Sequence, residues 1–128
     1  TRFSSYADYL TTADSEMCLV VQIETPAGVA ALDDILAVEG VDAVFIGPSD
    51  LSANYGHIGN PGAPEVVEAV QSSLDKIAAS DKASGIMALD PAAAKSYLDR
   101  GVDFVAVSID ARTLALSLRA IAADMRNR

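Results

Sequence analysis

Residues 17–50 read MCLVVQIETPAGVAALDDILAVEGVDAVFIGPSD and decide the fold. The apolar runs 17–23 and 43–46 have the length and composition of buried β-strands. Between them a helix is predicted from Pro26, with Thr25 as a plausible N-cap, to about residue 38, because apolar residues recur there at helical spacing. A strand, a helix and a second strand form the unit from which parallel α/β sheets are built.

The same alternation continues to the end of the chain. After a loop or short helix over 49–64, the pattern predicts a helix from Pro64 to about residue 80, a strand over 85–89, a helix from Asp90 and Pro91 to Gly101, a strand over 104–109, and a final helix from Asp110 with Leu114, Leu118 and Ile121 facing inward. Four βα units predict an α/β fold with a (βα)₄ parallel sheet, in a single domain spanning 1–128. A complete eight-stranded barrel needs about 250 residues, so such a chain is either half of a barrel or a small open sheet.

Composition limits the class of protein. Of the 128 residues, 51% are hydrophobic, which excludes a disordered chain and suits buried parallel strands covered by helices. The formal net charge of −9 argues against nucleic acid and anionic membranes as partners, since both attract clustered Lys and Arg. A small anionic substrate is still compatible, because it needs positive charge only locally.

The first residues, TRFSSYADYLTT, do not begin with Met and resemble the interior of a protein. No signal peptide opens the chain, and no apolar stretch approaches the roughly 20 residues of a membrane span. We therefore expect a cytoplasmic protein, seen as a piece of a longer one. Cys18 is the single cysteine, which excludes an intrachain disulfide, and its apolar neighbours predict a buried, unreactive thiol.

Two carboxylates, Glu24 and Asp50, each follow a predicted strand. If the two strands are parallel neighbours, both acids emerge at the edge of the sheet where α/β folds build their sites. Two convergent carboxylates suggest a site for a hard divalent cation. The alternatives are a Glu24 that faces solvent or caps a helix, and an Asp50 that acts as the N-cap of a short helix over 51–54.

The residues around the two acids are suited to binding a small oxyanion. Gln22 lies on the same side of its strand as Glu24, because side chains alternate along a strand, and could donate to a substrate oxygen. Gly47 allows a close backbone approach, and Pro48 stiffens the turn. The N–H groups of Ser49 and the residue after it can form an anion-binding nest, although an ordinary turn explains the same sequence.

Other polar residues have simpler explanations. His57, the single histidine, lies in a Gly- and Asn-rich loop and is predicted at the surface rather than as an acid or base. Asp90 and Asp110 also follow strands, but each stands where a helix N-cap is expected. Met87 is core by default, or lines a pocket near its strand's end. Sequence signatures of zincin, Rossmann, Walker and CxxC redox sites are absent.

Residues 20–56, VVQIETPAGVAALDDILAVEGVDAVFIGPSDLSANYG, resemble the HpcH/HpaI aldolase family of class II pyruvate aldolases, which includes 4-hydroxy-2-oxo-heptane-1,7-dioate and 2-dehydro-3-deoxyglucarate aldolases. The similarity continues through GNPGAPEV (59–66), GIMALD (85–90) and YLDRGVDFVAVSID (97–110). The resemblance implies the C-terminal half of a TIM-type (β/α)₈ barrel of the phosphoenolpyruvate/pyruvate type. It also implies a homo-oligomer, usually a hexamer with an exchanged C-terminal helix, and a role in the catabolism of aromatic compounds.

The resemblance further implies roles for individual residues. Glu24 and Asp50 would bind Mg²⁺, Mn²⁺ or Co²⁺. Substrate-binding positions would include Gln22, Gly47, Pro48, Ser49, Asp50, Met87 and Ile109, with Gln22 and the backbone around Ser49 and Asp50 on the pyruvate moiety and with Met87 and Ile109 as apolar pocket positions.

The implied reaction is the reversible cleavage of a 4-hydroxy-2-oxo acid to pyruvate and an aldehyde, with the metal as a Lewis acid that stabilises the enolate. The family's His and Arg belong to the first half of the barrel, and His57 does not match that His, so this chain alone is expected to lack part of the machinery. Two alternatives are a CoA-thioester lyase of the citryl- or malyl-CoA type, against which the GPSDLS loop argues, and a non-catalytic half-barrel that binds a carboxylate.

Overall fold

The structure of the protein is a computed structural model that describes residues 5–126. Within that range the strands are β1 (Val20–Ile23), β2 (Ala43–Ile46), β3 (Ala83–Met87) and β4 (Phe104–Ala106). The helices are α1 (Tyr9–Glu16), α2 (Pro26–Ala30), α3 (Leu32–Leu36), α4 (Pro48–Asn54), α5 (Pro64–Ala78), α6 (Pro91–Asp99) and α7 (Asp110–Arg126). No helix among residues 5–126 is both long and apolar enough to cross a bilayer.

The four strands form one parallel sheet in the order β1-β2-β3-β4, which confirms the predicted (βα)₄ architecture. Parallel neighbours need a crossover connection, and the helices between the strands provide it. Because all four strands run in the same direction, their carboxyl ends lie along one edge of the sheet. The residues of the predicted site lie at this edge, in the strand ends and in the segments that follow them.

The core lies between one face of the sheet and the helices. In the central row of the sheet, Ile23, Ile46 and Ile86 are adjacent in register and are all buried. α5 covers them with residues at helical spacing, of which Val66, Val70, Leu74 and Ile77 are buried. Val67, next in sequence to Val66, is 41% exposed because it lies one position off that face.

The opposite face of the sheet has no covering layer within residues 5–126. Its row consists of Gln22, Phe45, Gly85 and Phe104, which are adjacent in register, and Phe104 is 44% exposed. The rings of Phe45 and Phe104 meet over Gly85, with centroids 5.3 Å apart. A Cβ at Gly85 would lie 2.5 Å from the Phe104 ring, so only glycine allows this contact.

Two Gly-Val-Asp triplets, at 40–42 and 101–103, fix how the strands begin. Asp42 accepts a hydrogen bond from the Leu19 backbone N–H (2.6 Å), and Asp103 accepts one from the Ser84 backbone N–H (2.7 Å). In each case a carboxylate extends the hydrogen-bonded ladder by one residue pair beyond the strand. The triplets therefore set the register at the edge of the sheet opposite the predicted site.

The first strand is shorter than predicted and begins at Val20 instead of Met17. Met17 and Leu19 are 72% and 49% exposed, and Cys18 is also exposed, so the prediction of a buried thiol is wrong. The physical reason is that β1 is an edge strand, and nothing among residues 5–126 packs against its outer side. The other strand bounds agree within a few residues.

The helices differ from the prediction in three respects. The helix predicted from Pro26 is interrupted at Ala31, where ψ of 5° lies outside the α-helical range, which separates α2 from α3. α1 was not predicted, since its apolar residues form no clear stripe. On α7, the side chains of Leu114, Leu118 and Ile121 are 62%, 56% and 59% exposed rather than inward-facing, because the four-stranded sheet ends at β4.

Candidate active site

The strand-end acids share one cleft at the carboxyl edge of the sheet. β1 and β2 remain paired to their ends, where the Gly47 N–H donates to the Ile23 carbonyl oxygen (3.1 Å). A cavity of about 160 Å³ opens just beyond this point. Its lining contains every residue predicted for the site, namely Gln22, Glu24, Gly47, Pro48, Ser49, Asp50, Met87 and Ile109. The structure therefore brings together residues that are up to 87 positions apart, from 22 to 109.

Glu24 is half-buried and held from two sides. Its Oε1 accepts a hydrogen bond from Gln22 Nε2 (2.9 Å), which shows that the two side chains lie on the same side of the chain. A Cβ at Gly47 would come within 2.8 Å of both Cγ and Oε1 of Glu24. The missing side chain of Gly47 thus provides the space in which the Glu24 carboxylate lies.

Thr25, not Glu24, caps the helix that follows β1. The Thr25 hydroxyl accepts from the Gly28 N–H (3.0 Å) at the start of α2, as predicted. The alternative in which Glu24 acts as a helix cap is therefore wrong, and its carboxylate points into the cleft instead.

Asp50 lies in the first turn of α4. The predicted alternative made it the N-cap of a helix starting at Leu51, but α4 starts at Pro48, Gly47 takes the N-cap position, and no side chain caps this end. The proline supplies a helical φ and needs no hydrogen-bond acceptor at that position. The N–H groups of Ser49 and Asp50, in the first turn, have no acceptor within the helix, and both residues line the cleft.

Asn54, at the end of α4, was not predicted. Its Nδ2 donates to the main-chain oxygens of Glu24 and of Asp50, both at 3.0 Å. One of these bonds spans 30 positions of the sequence. No motif or spacing signals such a contact, because it depends on how α4 folds back towards β1.

The donors in the cleft are suited to a hard divalent cation. Glu24 and Asp50 supply carboxylate oxygens and Gln22 an amide, while the lining contains no Cys or His. Among residues 5–126 no three His, Cys, Asp or Glu side chains group closely enough to hold a metal by themselves. Two carboxylates match Mg²⁺-type sites, in which the remaining coordination positions go to water and substrate oxygens.

The apolar part of the cleft comes from strand ends and from the segment after β4. Met87 lies at the end of β3, and Ile109, 43% exposed, lies just before α7. Phe45 and Leu89 line the same cavity and were not predicted. Phe45 could have been recognised from its sequence, since alternation along β2 puts it on the opposite face from Ile46.

The other polar candidates lie outside the cleft. His57 pairs with Glu65 across the loop before α5 (Nε2 to Oε2, 3.0 Å). Asp90 accepts from the Ala93 N–H (2.8 Å) and caps α6, as predicted. Asp110 is the first residue of α7 rather than its N-cap, and it accepts from the Ala111 N–H (2.6 Å).

Three larger cavities are less suited to chemistry. One of about 370 Å³, which includes Ser84 and Asp103, lies at the amino-terminal edge of the sheet, away from the loops that follow the strands. A second, also of about 370 Å³, adjoins the cleft, shares Pro48, Ser49, Met87 and Leu89 with it, and is otherwise mainly apolar. Another, of about 670 Å³, lies along residues 5–17 alone and therefore receives no loop from the carboxyl edge of the sheet. Convergent polar groups rather than volume mark a site, and only the smallest cavity combines them with the carboxyl edge of the sheet.

A parallel α/β sheet with acidic residues gathered at its strand ends defines the class of proteins whose site is formed by the loops after the strands. A family model described as HpcH/HpaI aldolase/citrate lyase matches residues 3–116. The chain belongs to this family.

Named relatives agree with this membership. A hydroxypyruvate/pyruvate aldolase of Pseudomonas aeruginosa is 52% identical over 121 residues, covering 94% of this chain and 45% of that protein. A 4-hydroxy-2-oxo-heptane-1,7-dioate aldolase of Escherichia coli is 48% identical over 122 residues, covering 95% of this chain and 47% of that protein. A crystal structure of an HpcH/HpaI aldolase/citrate lyase family protein from Burkholderia cenocepacia superposes with a TM-score of 0.90 at 36% identity, covering 98% of this chain and 49% of that one.

The chain thus spans about half the length of the curated relatives it matches. The (βα)₄ sheet corresponds to half of the TIM-type fold, which settles the two architectures left open by the sequence in favour of the half-barrel. The uncovered face of the sheet and its two open edges are what half a barrel leaves exposed.

Proposed function

We propose that this protein is a metal-dependent aldolase that reversibly cleaves a 4-hydroxy-2-oxo acid to pyruvate and an aldehyde. The observation that carries the proposal is the pair of carboxylates, Glu24 and Asp50, in one cleft at the carboxyl ends of adjacent strands. Family membership and relatives named as aldolases that act on pyruvate or on 2-oxo acids support the same reaction class.

In this proposal Glu24 and Asp50 hold a divalent cation such as Mg²⁺, Mn²⁺ or Co²⁺. When bound, the cation supplies a Lewis acid next to the 2-oxo group of the substrate. Gln22 keeps the Glu24 carboxylate oriented through its 2.9 Å hydrogen bond. Such partners of a ligating carboxylate fix its geometry and tune its affinity.

The remaining residues of the cleft position the pyruvate moiety. Its carboxylate is suited to the N–H groups of Ser49 and Asp50 at the start of α4, where Gly47 and Pro48 set the backbone direction. Met87 and Ile109 form the apolar wall and limit access of water to the carbon that gains charge.

The general base is not provided by this cleft. Its lining contains no His, Lys or Arg, and His57 is engaged with Glu65 elsewhere. With Glu24 and Asp50 assigned to the cation, we propose that the group that removes the proton of the 4-hydroxyl comes from outside this cleft. We expect full activity only when the other half of the barrel is present.

The test is pyruvate release from a 4-hydroxy-2-oxo acid, measured with Mn²⁺ and with EDTA, in this protein with and without a polypeptide that supplies the N-terminal half. We expect metal-dependent release that is lost in Glu24→Gln and in Asp50→Asn, because each variant removes one charged ligand while keeping its shape. Substitution of a residue that hydrogen-bonds to a metal ligand typically lowers activity by about 10- to 100-fold. Loss of a ligand itself should lower activity by more than that.

A matched control is Asp90→Asn. Asp90 also follows a strand at the same edge, and Asn is as good an N-cap as Asp, so the variant removes one charge without removing a cap. Equal loss in all three variants would point to a general effect of charge and would count against the assignment of Glu24 and Asp50.

The rival activities give different results in the same assay. A CoA-thioester lyase would release pyruvate from no 4-hydroxy-2-oxo acid but would cleave a citryl- or malyl-CoA type substrate. A non-catalytic half-barrel would bind a carboxylate without Mn²⁺-dependent turnover, even with the N-terminal half supplied. Either result would overturn the proposed aldolase.

We further propose that the protein is a homo-oligomer that buries α7. This helix presents Leu114, Leu118, Ile121 and Met125 along one side, each at least 49% exposed. Contiguous apolar surface of this kind marks association sites.

A further inference from the structure

The side-chain amide of Asn54 bridges the main chains of the two residues whose carboxylates line the cleft. Its Nδ2 lies 3.0 Å from the Glu24 carbonyl oxygen and 3.0 Å from the Asp50 carbonyl oxygen. A primary amide carries two N–H donors, so one nitrogen satisfies both acceptors. Since both partners are carbonyl oxygens and only accept, the orientation of the amide is determined by the contacts themselves.

A local contact within the helix accounts for only one of these bonds. The bond to Asp50 runs four residues back along α4, a side-chain-to-backbone contact that polar residues often make within a helix. The bond to Glu24 leaves the helix and reaches the end of β1, 30 residues earlier. This second bond has no role in the helix itself.

The residue type fits this double contact. Ser and Thr have a single donor, Asp has none when ionised, and Lys would bring a positive charge next to the two acids. Leu has nearly the shape of Asn without its donors. The link is therefore removable by one substitution with little change in volume.

We infer that Asn54 is a positioning residue that fixes the main chain of Glu24 relative to that of Asp50, so that both carboxylates stand ready at one cleft. The inference rests on the proposed function, in which these two acids hold the cation. The Asn54 side chain lines neither the cleft nor the neighbouring cavity, so it acts through the two acids and not on the substrate.

The first measurement is Mn²⁺ affinity, by titration calorimetry or by electron paramagnetic resonance, in the parent protein and in Asn54→Leu. We expect the dissociation constant to rise by about 10- to 100-fold, the range found for second-layer partners of metal ligands. Ser84→Ala is the control, because it also removes hydrogen bonds, to Asp103, but at the opposite end of the strands. It should destabilise the fold without changing Mn²⁺ affinity.

The second measurement needs no metal. In the metal-free protein, hydrogen exchange of the Gly47 amide reports on the last bond between β1 and β2, which adjoins the Glu24 carbonyl. We expect faster exchange of this amide in Asn54→Leu and unchanged exchange in Ser84→Ala. This readout separates the positioning of the main chain from the identity of the cation.

The outcomes distinguish the inference from the proposed function. Weaker Mn²⁺ binding together with faster Gly47 exchange in Asn54→Leu supports the inference. Unchanged affinity and exchange in Asn54→Leu, with binding lost in Glu24→Gln, overturns the role of Asn54 and leaves the proposed site intact. Mn²⁺ binding that survives both Glu24→Gln and Asp50→Asn overturns the proposed site, and the inferred role of Asn54 in metal binding with it.

Discussion

At the scale of single residues, the site depends on the absence of a side chain at Gly47. The Glu24 carboxylate occupies the space that a Cβ at position 47 would need, with contacts of 2.8 Å. The backbone at Gly47 has φ of −103°, which any residue can adopt, so an alanine there would be excluded by Glu24 and not by backbone strain. The glycine is therefore explained by the neighbouring acid.

Gly47→Ala should weaken Mn²⁺ binding by at least about tenfold, because Glu24 must leave its position next to Gln22. The global stability should change little, since the displaced group is a partly exposed side chain. Gly40→Ala is the matched control, as a Cβ there meets nothing within 4 Å. Isothermal titration with Mn²⁺ checks both variants, and equal affinity in Gly47→Ala and the parent would contradict the packing argument.

At the scale of elements, β3 and β4 are aligned by a reciprocal contact between Ser84 and Asp103. The Asp103 carboxylate accepts from the Ser84 backbone N–H (2.7 Å) and from the Ser84 hydroxyl (2.9 Å), and the Asp103 N–H donates to that hydroxyl oxygen (3.2 Å). These hydrogen bonds hold the pKa of Asp103 below its ordinary value. The bond from the Ser84 backbone N–H has the largest effect, and the bond from the Ser84 hydroxyl the next largest.

This lowered pKa makes the contact dependent on pH. A carboxyl whose pKa is lower in the folded than in the unfolded chain stabilises the fold above the unfolded value of about 3.9 and loses that contribution as the pH falls through the folded value. Asp103→Asn keeps an acceptor but removes the charge. The difference in unfolding free energy between parent and variant should therefore be constant from neutral pH to about pH 5 and should shrink below about pH 4.

Urea unfolding at pH 7, 5 and 3 measures this difference. Asp33→Asn provides the control, since Asp33 is an exposed partner of Lys76 whose pairing is screened by solvent and salt. A parent-to-variant difference for Asp103 that stays the same at pH 3 would contradict the proposed charge-dependent alignment of the strands.

At the scale of the whole molecule, half a barrel leaves surfaces that a complete one covers. Within the described residues, three surfaces are exposed: the sheet face that carries Phe45 and Phe104, the outer side of β1, and the leucines of α7. Exposed apolar surface of this extent favours association, with the other half of the barrel or with further copies.

Light scattering on the protein as it elutes from a size-exclusion column should give a mass above the 13.3 kDa of one chain. Leu118→Glu should lower that mass, because it places a charge in the middle of the apolar side of α7. Ala123→Glu adds the same charge at an exposed position on the opposite side of the same helix and should leave the mass unchanged. A parent protein that elutes at 13.3 kDa would contradict association through α7.

The local pattern of the chain was sufficient for the order of strands and helices in the parallel sheet and for the position of the two acids. It was not sufficient to choose between half a barrel and an open sheet, or to include Phe45 and Leu89 in the cleft. Some features depend only on neighbouring residues and can be predicted without knowing the fold. They are the strand and helix periods, the helix start at Thr25 and Pro26, and the helix cap at Asp90. Parallel strands then bring Glu24 and Asp50 to one edge as a matter of direction. The resemblance to the family added Met87 and Ile109, and the structure places both in the cleft.

Only the tertiary structure determined two kinds of feature. The first is contact between residues far apart in the sequence, and the second is the exposure of apolar side chains, which depends on whether another surface covers them. The bond from Asn54 to Glu24 and the closeness of Gly47 to the same acid follow from how α4 packs against β1, which no spacing encodes. Cys18 and the leucines of α7 are apolar positions of ordinary helix and strand patterns, and such patterns predict burial. In half a barrel the partner surface is missing from the chain, so the same residues remain in contact with solvent.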